Sequence, residues 1–142
     1  MKKTYLPLCM LCIVSMLLCC SCGFLGDQKY ECEVTEVESI QIVRLDEYIE
    51  GECRFEYAIL AEITDHATFI NKLNNLKHSV NWGDPTHMEL EYVVIKIVYH
   101  NGDFDLIHQK AQWFNRDGRN RSGFFFFDQN QFLALISEYV TE

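Results

Sequence analysis

The sequence has little proline and glycine and no excess of basic residues. Two prolines and seven glycines in 142 residues exclude a proline-rich stalk, a glycine–serine linker and a collagen-like segment. The formal net charge of −9 opposes binding to nucleic acid or to an anionic membrane surface, because both require clustered cations. No nucleic-acid partner is therefore expected.

Motifs for catalysis and for metal binding are also missing. There is no Gly-x-Ser-x-Gly or Ser-x-x-Lys sequence, and each of these would mark a serine nucleophile. None of the five histidines forms the His-x-His or His-x-x-x-His spacing of a metal site. We expect no cofactor and no metal, and we interpret the chain as non-enzymatic. A hydrolase assembled from distant strands is the third-ranked hypothesis.

What the sequence does contain is enough apolar material for one folded domain. Hydrophobic residues make up 49% and aromatic residues 13% of the chain, which is sufficient to offset the entropy of ordering it. Domains typically contain about 100–200 residues. The length therefore predicts a single domain.

The first 22 residues have the layout of a secretory signal peptide. Lys2 and Lys3 precede an apolar run over residues 6–20, which matches a positive n-region followed by an apolar h-region. The run is short for a membrane span, which needs about 20 residues. An uncut signal anchor is the alternative, and in both cases the rest of the chain is expected outside the cytoplasm.

The sequence Cys19-Cys20-Ser21-Cys22 resembles the cleavage box of bacterial lipoproteins, in which the cysteine after a small residue receives lipid. The resemblance implies a signal peptide over residues 1–21, lipid on Cys22, a short tether over 22–28 and a domain over 29–142. It also implies that the membrane is a partner, reached through the lipid on its extracytoplasmic face. Cys19 stands where the pattern prefers leucine, and Cys20 is a competing lipidation site.

Two cysteines remain if Cys22 carries lipid. Cys32 and Cys53 are candidates for one disulfide in an exported protein, and closing a loop of this size would contribute about 3 kcal/mol. Two separate buried thiols are the alternative.

Acidic residues crowd the first half of the exported part. Eleven of the 21 acids lie between Asp27 and Glu62, and the formal charge without Lys2 and Lys3 is −11. Opposite charges attract across interfaces. A protein partner is therefore expected to be basic or neutral.

The order of elements predicts an α+β fold. Residues 30–45 and 53–63 read as strands, and Thr64 or Asp65 can cap a helix with apolar residues at 69, 70, 73 and 76. Residues 88–100 and 103–110 read as a hairpin, and residues 123–127 as a short strand. The Asp128-x-x-Gln131 capping box opens a last helix. We expect an antiparallel sheet of about five or six strands with two helices packed on one face.

Asn101-Gly102 is typical of a two-residue type I′ hairpin loop. That loop would pair Tyr99 with Phe104 and Ile97 with Leu106. Phe104 and Leu106 would then share an apolar face with Ile95 and Ile97, while Asp105 would lie on the other face, which is partly exposed to solvent.

The segment after this hairpin is the most site-like part of the sequence. Aromatic residues and arginines are enriched at protein interfaces and anion sites. The arginines could instead pair with the domain's own carboxylates. We therefore predict a possible interaction loop formed by Trp113, Phe114, Arg116, Arg119 and Arg121.

The body of the chain also resembles small bacterial lipoproteins of unknown function. The resemblance rests on residues 97–107 with their Asn-Gly-Asp turn, on the Phe-Phe-Asp sequence and on the Phe-x-x-Leu-Ile helix. It implies no established activity. The first hypothesis is a non-enzymatic, lipid-anchored binding or interaction module. The second is an immunity or inhibitor-type protein that neutralises a basic toxin or enzyme at the cell surface.

Overall fold

A computed structural model describes residues 30–80, 87–123 and 125–140. These residues form eight strands, two α-helices and two short 3-10 helices (Val34–Glu36 and Glu50–Glu52). The first strands are β1 (Val37–Ile49), β2 (Arg54–Ile63), β3 (His78–Val80) and β4 (Val93–Tyr99). The others are β5 (Phe104–Ile107), β6 (Gln112–Arg116), β7 (Arg119–Ser122) and β8 (Phe125–Phe127). The helices are α1 (His66–Asn74) and α2 (Gln129–Ser137).

Six strands form an antiparallel sheet in the order β2-β1-β4-β5-β6-β7, and β3 pairs with β8 in a second, two-stranded sheet. The fold class is α+β, as predicted. Buried Gln112 joins the two sheets: its amide nitrogen donates to the carbonyls of His108 (3.0 Å) and Phe125 (2.8 Å), and its amide oxygen accepts from the Phe125 N–H (2.9 Å).

Both helices pack on the same face of the six-stranded sheet, which we call the helical face. The main core lies there because the helices supply a buried apolar stripe, Phe69, Ile70 and Leu73 from α1 and Phe132, Leu135 and Ile136 from α2. These side chains meet the buried isoleucines of the sheet: Ile40, Ile42, Ile63, Ile95, Ile97 and Ile107.

Asp65, one of the two predicted caps, begins α1, and Asp128 begins α2 as predicted. The second half of the predicted capping box does not form, because the Gln131 side chain accepts from the Lys77 N–H instead. The Asp65 carboxylate accepts from the Thr68 N–H at 3.0 Å, and the Asp128 carboxylate accepts from the Gln131 N–H at 2.9 Å. Each contact satisfies one of the backbone donors that the first turn of a helix leaves without a partner.

The β4–β5 hairpin exists, but its predicted register is wrong by one residue. The Gly102 N–H donates to the Tyr99 carbonyl, the Tyr99 N–H donates to the Asp103 carbonyl, and Gly102 has φ +86°. The loop therefore has three residues and closes through a left-handed glycine, a common alternative to the two-residue loop. Ile97 lies opposite Asp105, and Val98 lies opposite Phe104.

The shift exchanges the faces of strand β5, because neighbouring residues of a strand point to opposite sides. Asp105 and Ile107 lie on the helical face, and Phe104 and Leu106 lie on the other face. The segment after this hairpin, predicted to be a loop, forms a second hairpin of β6 and β7. Asp117 and Gly118 lie at its tip with positive φ angles.

Neither α-helix packs on the other face of the sheet. Val43, Leu45, Val94 and Leu106 are buried there beneath larger neighbours from the sheet and from the segment before β4. Those neighbours are Phe55, Met88, Tyr92, Phe104 and Trp113.

Candidate functional site

A buried ionic cluster lies at the start of β1, on the helical face. Asp105 is 0% exposed, and its Oδ2 accepts from the hydroxyls of Tyr99 (2.6 Å) and Tyr30 (3.2 Å). Arg116 Nη1 lies 2.5 Å from Asp105 Oδ1, as a close ion contact without aligned hydrogen-bond geometry. The guanidinium also lies 4.8 Å from the centre of the Tyr99 ring. The Asp105 charge is thus compensated within the domain.

This environment holds the neighbouring hydroxyls and thiol in their protonated forms. Burial, followed by the Asp105 charge, raises the pKa of Tyr30 and of Tyr99 well above the usual tyrosine value. Burial also raises the pKa of the Cys32 thiol, whose sulfur lies 3.5 Å from the Tyr99 hydroxyl. Arg116 stays charged because its contact with Asp105 outweighs the effect of burial on its pKa. The Cys32 thiol is therefore not held as the reactive thiolate.

A pocket of about 550 Å³ opens above this cluster. Arg116, Tyr99 and Cys32 are at its base, and the rest of its lining is mainly polar and acidic. Among the described residues, no group of three or more histidine, cysteine, aspartate or glutamate side chains could hold a metal ion. The pocket therefore opens to solvent above side chains that already contact one another inside the domain.

The opposite face of the sheet carries a different kind of surface, which we call the aromatic face. Trp113 of β6 contacts Phe55 of β2 with ring centres 5.0 Å apart, and it contacts Tyr48 of β1 at 6.0 Å. β2 and β6 are four strands apart, which would be about 19 Å in a flat sheet. The sheet is therefore strongly curled. The Asn120 side chain completes the curl by donating to the Cys53 carbonyl at 3.4 Å.

The curl makes the aromatic face concave and leaves part of it open to solvent. Tyr48 is 40% exposed, Tyr57 is 36% exposed and Ile59 is 51% exposed. Contiguous apolar patches on a soluble protein often mark binding sites. This exposed aromatic strip is the strongest candidate for a functional surface among the described residues.

Two pockets open on this face on either side of the Phe55–Trp113 contact, which borders both. One has a volume of about 410 Å³ and includes Tyr48, Met88 and Leu90. The other has a volume of about 220 Å³, and we call it the Lys96 pocket. Its lining residues are Cys53, Arg54, Phe55, Tyr57, Lys96, Phe104, Leu106 and Trp113.

Lys96 lies on the central strand β4 and is half-buried. Its ammonium contacts the Tyr57 hydroxyl and lies 4.1 Å from the centre of the Tyr57 ring. No carboxylate among the described residues forms an ion pair with it. The indole Nε1 of Trp113, which borders the same pocket, is buried and has no acceptor in the described part of the chain.

His108 follows β5 and stacks on Tyr92, with ring centres 3.9 Å apart and an edge contact to Phe132. Burial, with a further contribution from the Lys110 charge, lowers the pKa of His108 to about 4. The imidazole is neutral at pH 7, and its role is packing.

The structure brings part of the predicted interaction loop together on the aromatic face, because Trp113 and Arg121 both line the pocket of about 410 Å³. Trp113 points to the aromatic face, whereas Phe114 packs against Tyr30 and Arg116 binds Asp105 on the helical side. Arg119 and Arg121 are exposed on β7. Strand alternation explains the division, because β6 sends successive side chains to opposite faces.

The predicted disulfide between Cys32 and Cys53 is absent, and both are free thiols, one buried and one exposed. Cys32 contacts Tyr99, which pairs with Val37 at the beginning of β1, while Cys53 lies just beyond Ile49 at the end of β1. The 13 residues of β1 separate the two sites by roughly 40 Å. A disulfide requires Cα atoms within about 7 Å.

The predicted lipidation site Cys22, the signal peptide and the tether lie outside the described residues. In the part of the chain that the structure covers, neither α-helix has the length and apolar character needed to cross a membrane. No protein-family model, curated protein or solved structure matches the chain.

Proposed function

We propose that the chain is a lipid-anchored, extracytoplasmic binding module that is not an enzyme and that uses the aromatic face for binding. The observation that carries the proposal is the exposed Tyr48, Tyr57 and Ile59 strip beside the Phe55–Trp113 contact. Aromatic residues dominate the energetics of protein interfaces and of ligand pockets. A concave apolar surface supported by a rigid sheet is suited to both.

The anchor rests on the sequence around Cys22, and the direction of β1 is compatible with it. Among the described residues, Tyr30 packs against Phe114, Phe125 and Phe127 beside the start of β1. β1 then runs 13 residues toward the β1–β2 turn, a distance of about 40 Å. A domain tethered through residues 22–28 would present Tyr48 and Phe55 away from the membrane.

The chemistry of the polar groups supports binding rather than catalysis. The buried carboxylate of Asp105 is held by an arginine and two tyrosines, and the nearby Cys32 thiol is protonated. His108 is neutral and stacked. These groups contribute to the rigidity of the fold that carries the aromatic face.

Site-specific photo-cross-linking in cells tests the binding face. A photoreactive residue at Tyr48 samples the aromatic face, and the same residue at Leu133 samples the helical side, where Leu133 is 51% exposed. We expect a discrete cross-linked product from position 48 that is absent from position 133. Equal products from both positions, or none from position 48, would contradict the proposal.

An immunity or inhibitor-type function is a second candidate, because acidic residues surround the exposed Tyr48 near the β1–β2 turn. Asp46, Glu47, Glu50 and Glu52 are all exposed next to Tyr48, and such a rim attracts a basic partner. Added salt screens exposed charges. A cross-link from position 48 that weakens steeply between 0.05 and 0.5 M salt, on the order of tenfold, would favour this candidate, whereas a salt-independent one would favour a neutral ligand.

A further inference from the structure

We propose that the Lys96 pocket binds a small apolar monoanion, with a carboxylate as its charged group. The inference rests on the proposed function, since the pocket is part of the aromatic face, and it assigns a class of ligand to that pocket.

The charge of the pocket is opposite to the charge of the domain. The exported part has a formal charge of −11, yet no aspartate or glutamate lines this pocket, and two cations, Lys96 and Arg54, do. Arg54 is already engaged by Glu52 and Glu56. Lys96 is therefore the cation that remains available to a ligand.

The Lys96 ammonium is held at a solvent-exposed contact with Tyr57 rather than by a carboxylate of the described residues. A lysine in the middle of a sheet face is normally paired, or it extends its ammonium into water. Here the ammonium contacts the Tyr57 ring and hydroxyl and has no carboxylate partner in the described residues. A ring face stabilises a cation only partly. An anion that entered the pocket would gain a charge-assisted hydrogen bond from the Lys96 ammonium.

A second donor borders the pocket. The Trp113 indole N–H is buried and unpaired in the described part of the chain, and leaving such a donor unsatisfied is costly. A carboxylate bound to Lys96 would lie beside the Trp113 ring, so the indole N–H reports on occupancy of the pocket. A dianionic phosphate would leave more acceptor positions unmatched, because the pocket offers few further donors.

The walls define the rest of the ligand. Phe55, Phe104 and Leu106 provide an apolar lining, and the volume of about 220 Å³ corresponds to roughly seven liquid waters at about 30 Å³ each. The space suits a compact aryl or short alkyl group rather than a long lipid chain. Apolar walls with a few convergent polar groups are the usual composition of a small-molecule site.

The test compares two probes that differ in charge, 4-phenylbutyrate and 4-phenylbutanol, at pH 7. Binding is followed by the chemical shift of the Trp113 indole N–H in a ¹⁵N-labelled sample. We expect the carboxylate to bind about tenfold more tightly than the alcohol, as a charge-assisted hydrogen bond implies. Lys96→Met should remove this preference, and Lys96→Arg should retain it.

Lys110→Met is the matched control, since Lys110 is exposed outside the pocket, and it should leave both affinities unchanged. Equal binding of the two probes by the unmodified protein, or an unchanged preference in Lys96→Met, would overturn the proposal. So would the absence of any shift at millimolar probe. Cross-linking from position 48 reports on the aromatic face independently, so it separates failure of this ligand class from failure of the proposed function.

Discussion

Asp105 lies directly opposite Ile97 in the β4–β5 hairpin, and this pairing sends a carboxylate into the core. The carboxylate is fully buried and is held by Arg116, Tyr99 and Tyr30. A buried ion pair contributes little relative to an apolar replacement, but loss of one partner leaves the others uncompensated. Loss of Asp105 alone should therefore destabilise the domain.

Asp105→Ala should lower the free energy of unfolding by about 3 kcal/mol, because it removes the acceptor of two buried hydroxyls and the counter-ion of Arg116. The double substitution Asp105→Leu with Arg116→Met should be less damaging than Asp105→Ala alone. Urea denaturation measures both. A loss below about 1 kcal/mol for Asp105→Ala would show that the cluster is not needed for stability.

Gly102 closes the hairpin loop that precedes Asp105 in a left-handed conformation. Gly102→Ala should destabilise the domain by about 1 kcal/mol, because an alanine at φ +86° is strained. Gly51→Ala is the control, since Gly51 has no positive φ and open space around its Cα, and its effect should be close to zero. Thermal or urea unfolding of the two variants measures the difference, and equal effects would contradict the left-handed conformation of Gly102.

The two described cysteines should differ in reactivity. Cys53 is exposed, whereas Cys32 is buried and has a raised pKa, and thiol reactions proceed through the thiolate. In a disulfide-exchange assay with Ellman's reagent on the native protein, Cys53→Ser should remove a fast-reacting thiol, and Cys32→Ser should leave it in place. Loss of the fast phase in Cys32→Ser would contradict the assignment.

His108 should make stability fall on mild acidification. Its pKa is lowered to about 4 in the folded domain, against about 6.5 in an unfolded chain. The unfolded state therefore binds a proton first, so the stabilising effect is present above pH 6.5 and is lost as the pH falls toward 4. The loss should be about 1–2 kcal/mol after allowance for partial exposure.

Urea titrations at pH 7 and pH 4.5 measure this slope, which is the change in the free energy of unfolding with pH. His108→Phe keeps a ring against Tyr92 and should flatten the slope over this interval. His100→Gln, at an exposed position, is the control and should leave the slope as it was. A slope that survives in His108→Phe would assign the acid sensitivity to other groups.

The sequence was sufficient to predict the fold class, the Asp128 cap and the location of the main hairpin, and it narrowed the first cap to Thr64 or Asp65, because these features depend on local patterns. Asp65 and Asp128 lie next to the N–H groups that they cap. The predicted register was wrong because Asn101-Gly102 is compatible with loops of two or three residues. A three-residue loop with Gly102 as its last residue would have placed Asp105 in the core.

The aromatic face was not predictable in the same way. Tyr48 and Phe55 come from one hairpin and Trp113 from another, and they meet only because the sheet curls across four strands. Trp113 was singled out from the sequence, but strand alternation separates it from Phe114 and Arg116. Lys96 stood between apolar residues of a strand, and its lack of a carboxylate partner depends on residues distant in sequence.

We propose that a lipid on Cys22 holds this binding domain at the extracytoplasmic membrane surface. Intact mass and membrane fractionation of the protein expressed in a lipoprotein-competent bacterium, beside Cys22→Ala, test this anchor. We expect a membrane-bound product that begins at Cys22 with the added mass of two or three acyl chains, and loss of both properties in the variant. An uncut chain, or a product without lipid, would show that Cys22 does not anchor the domain.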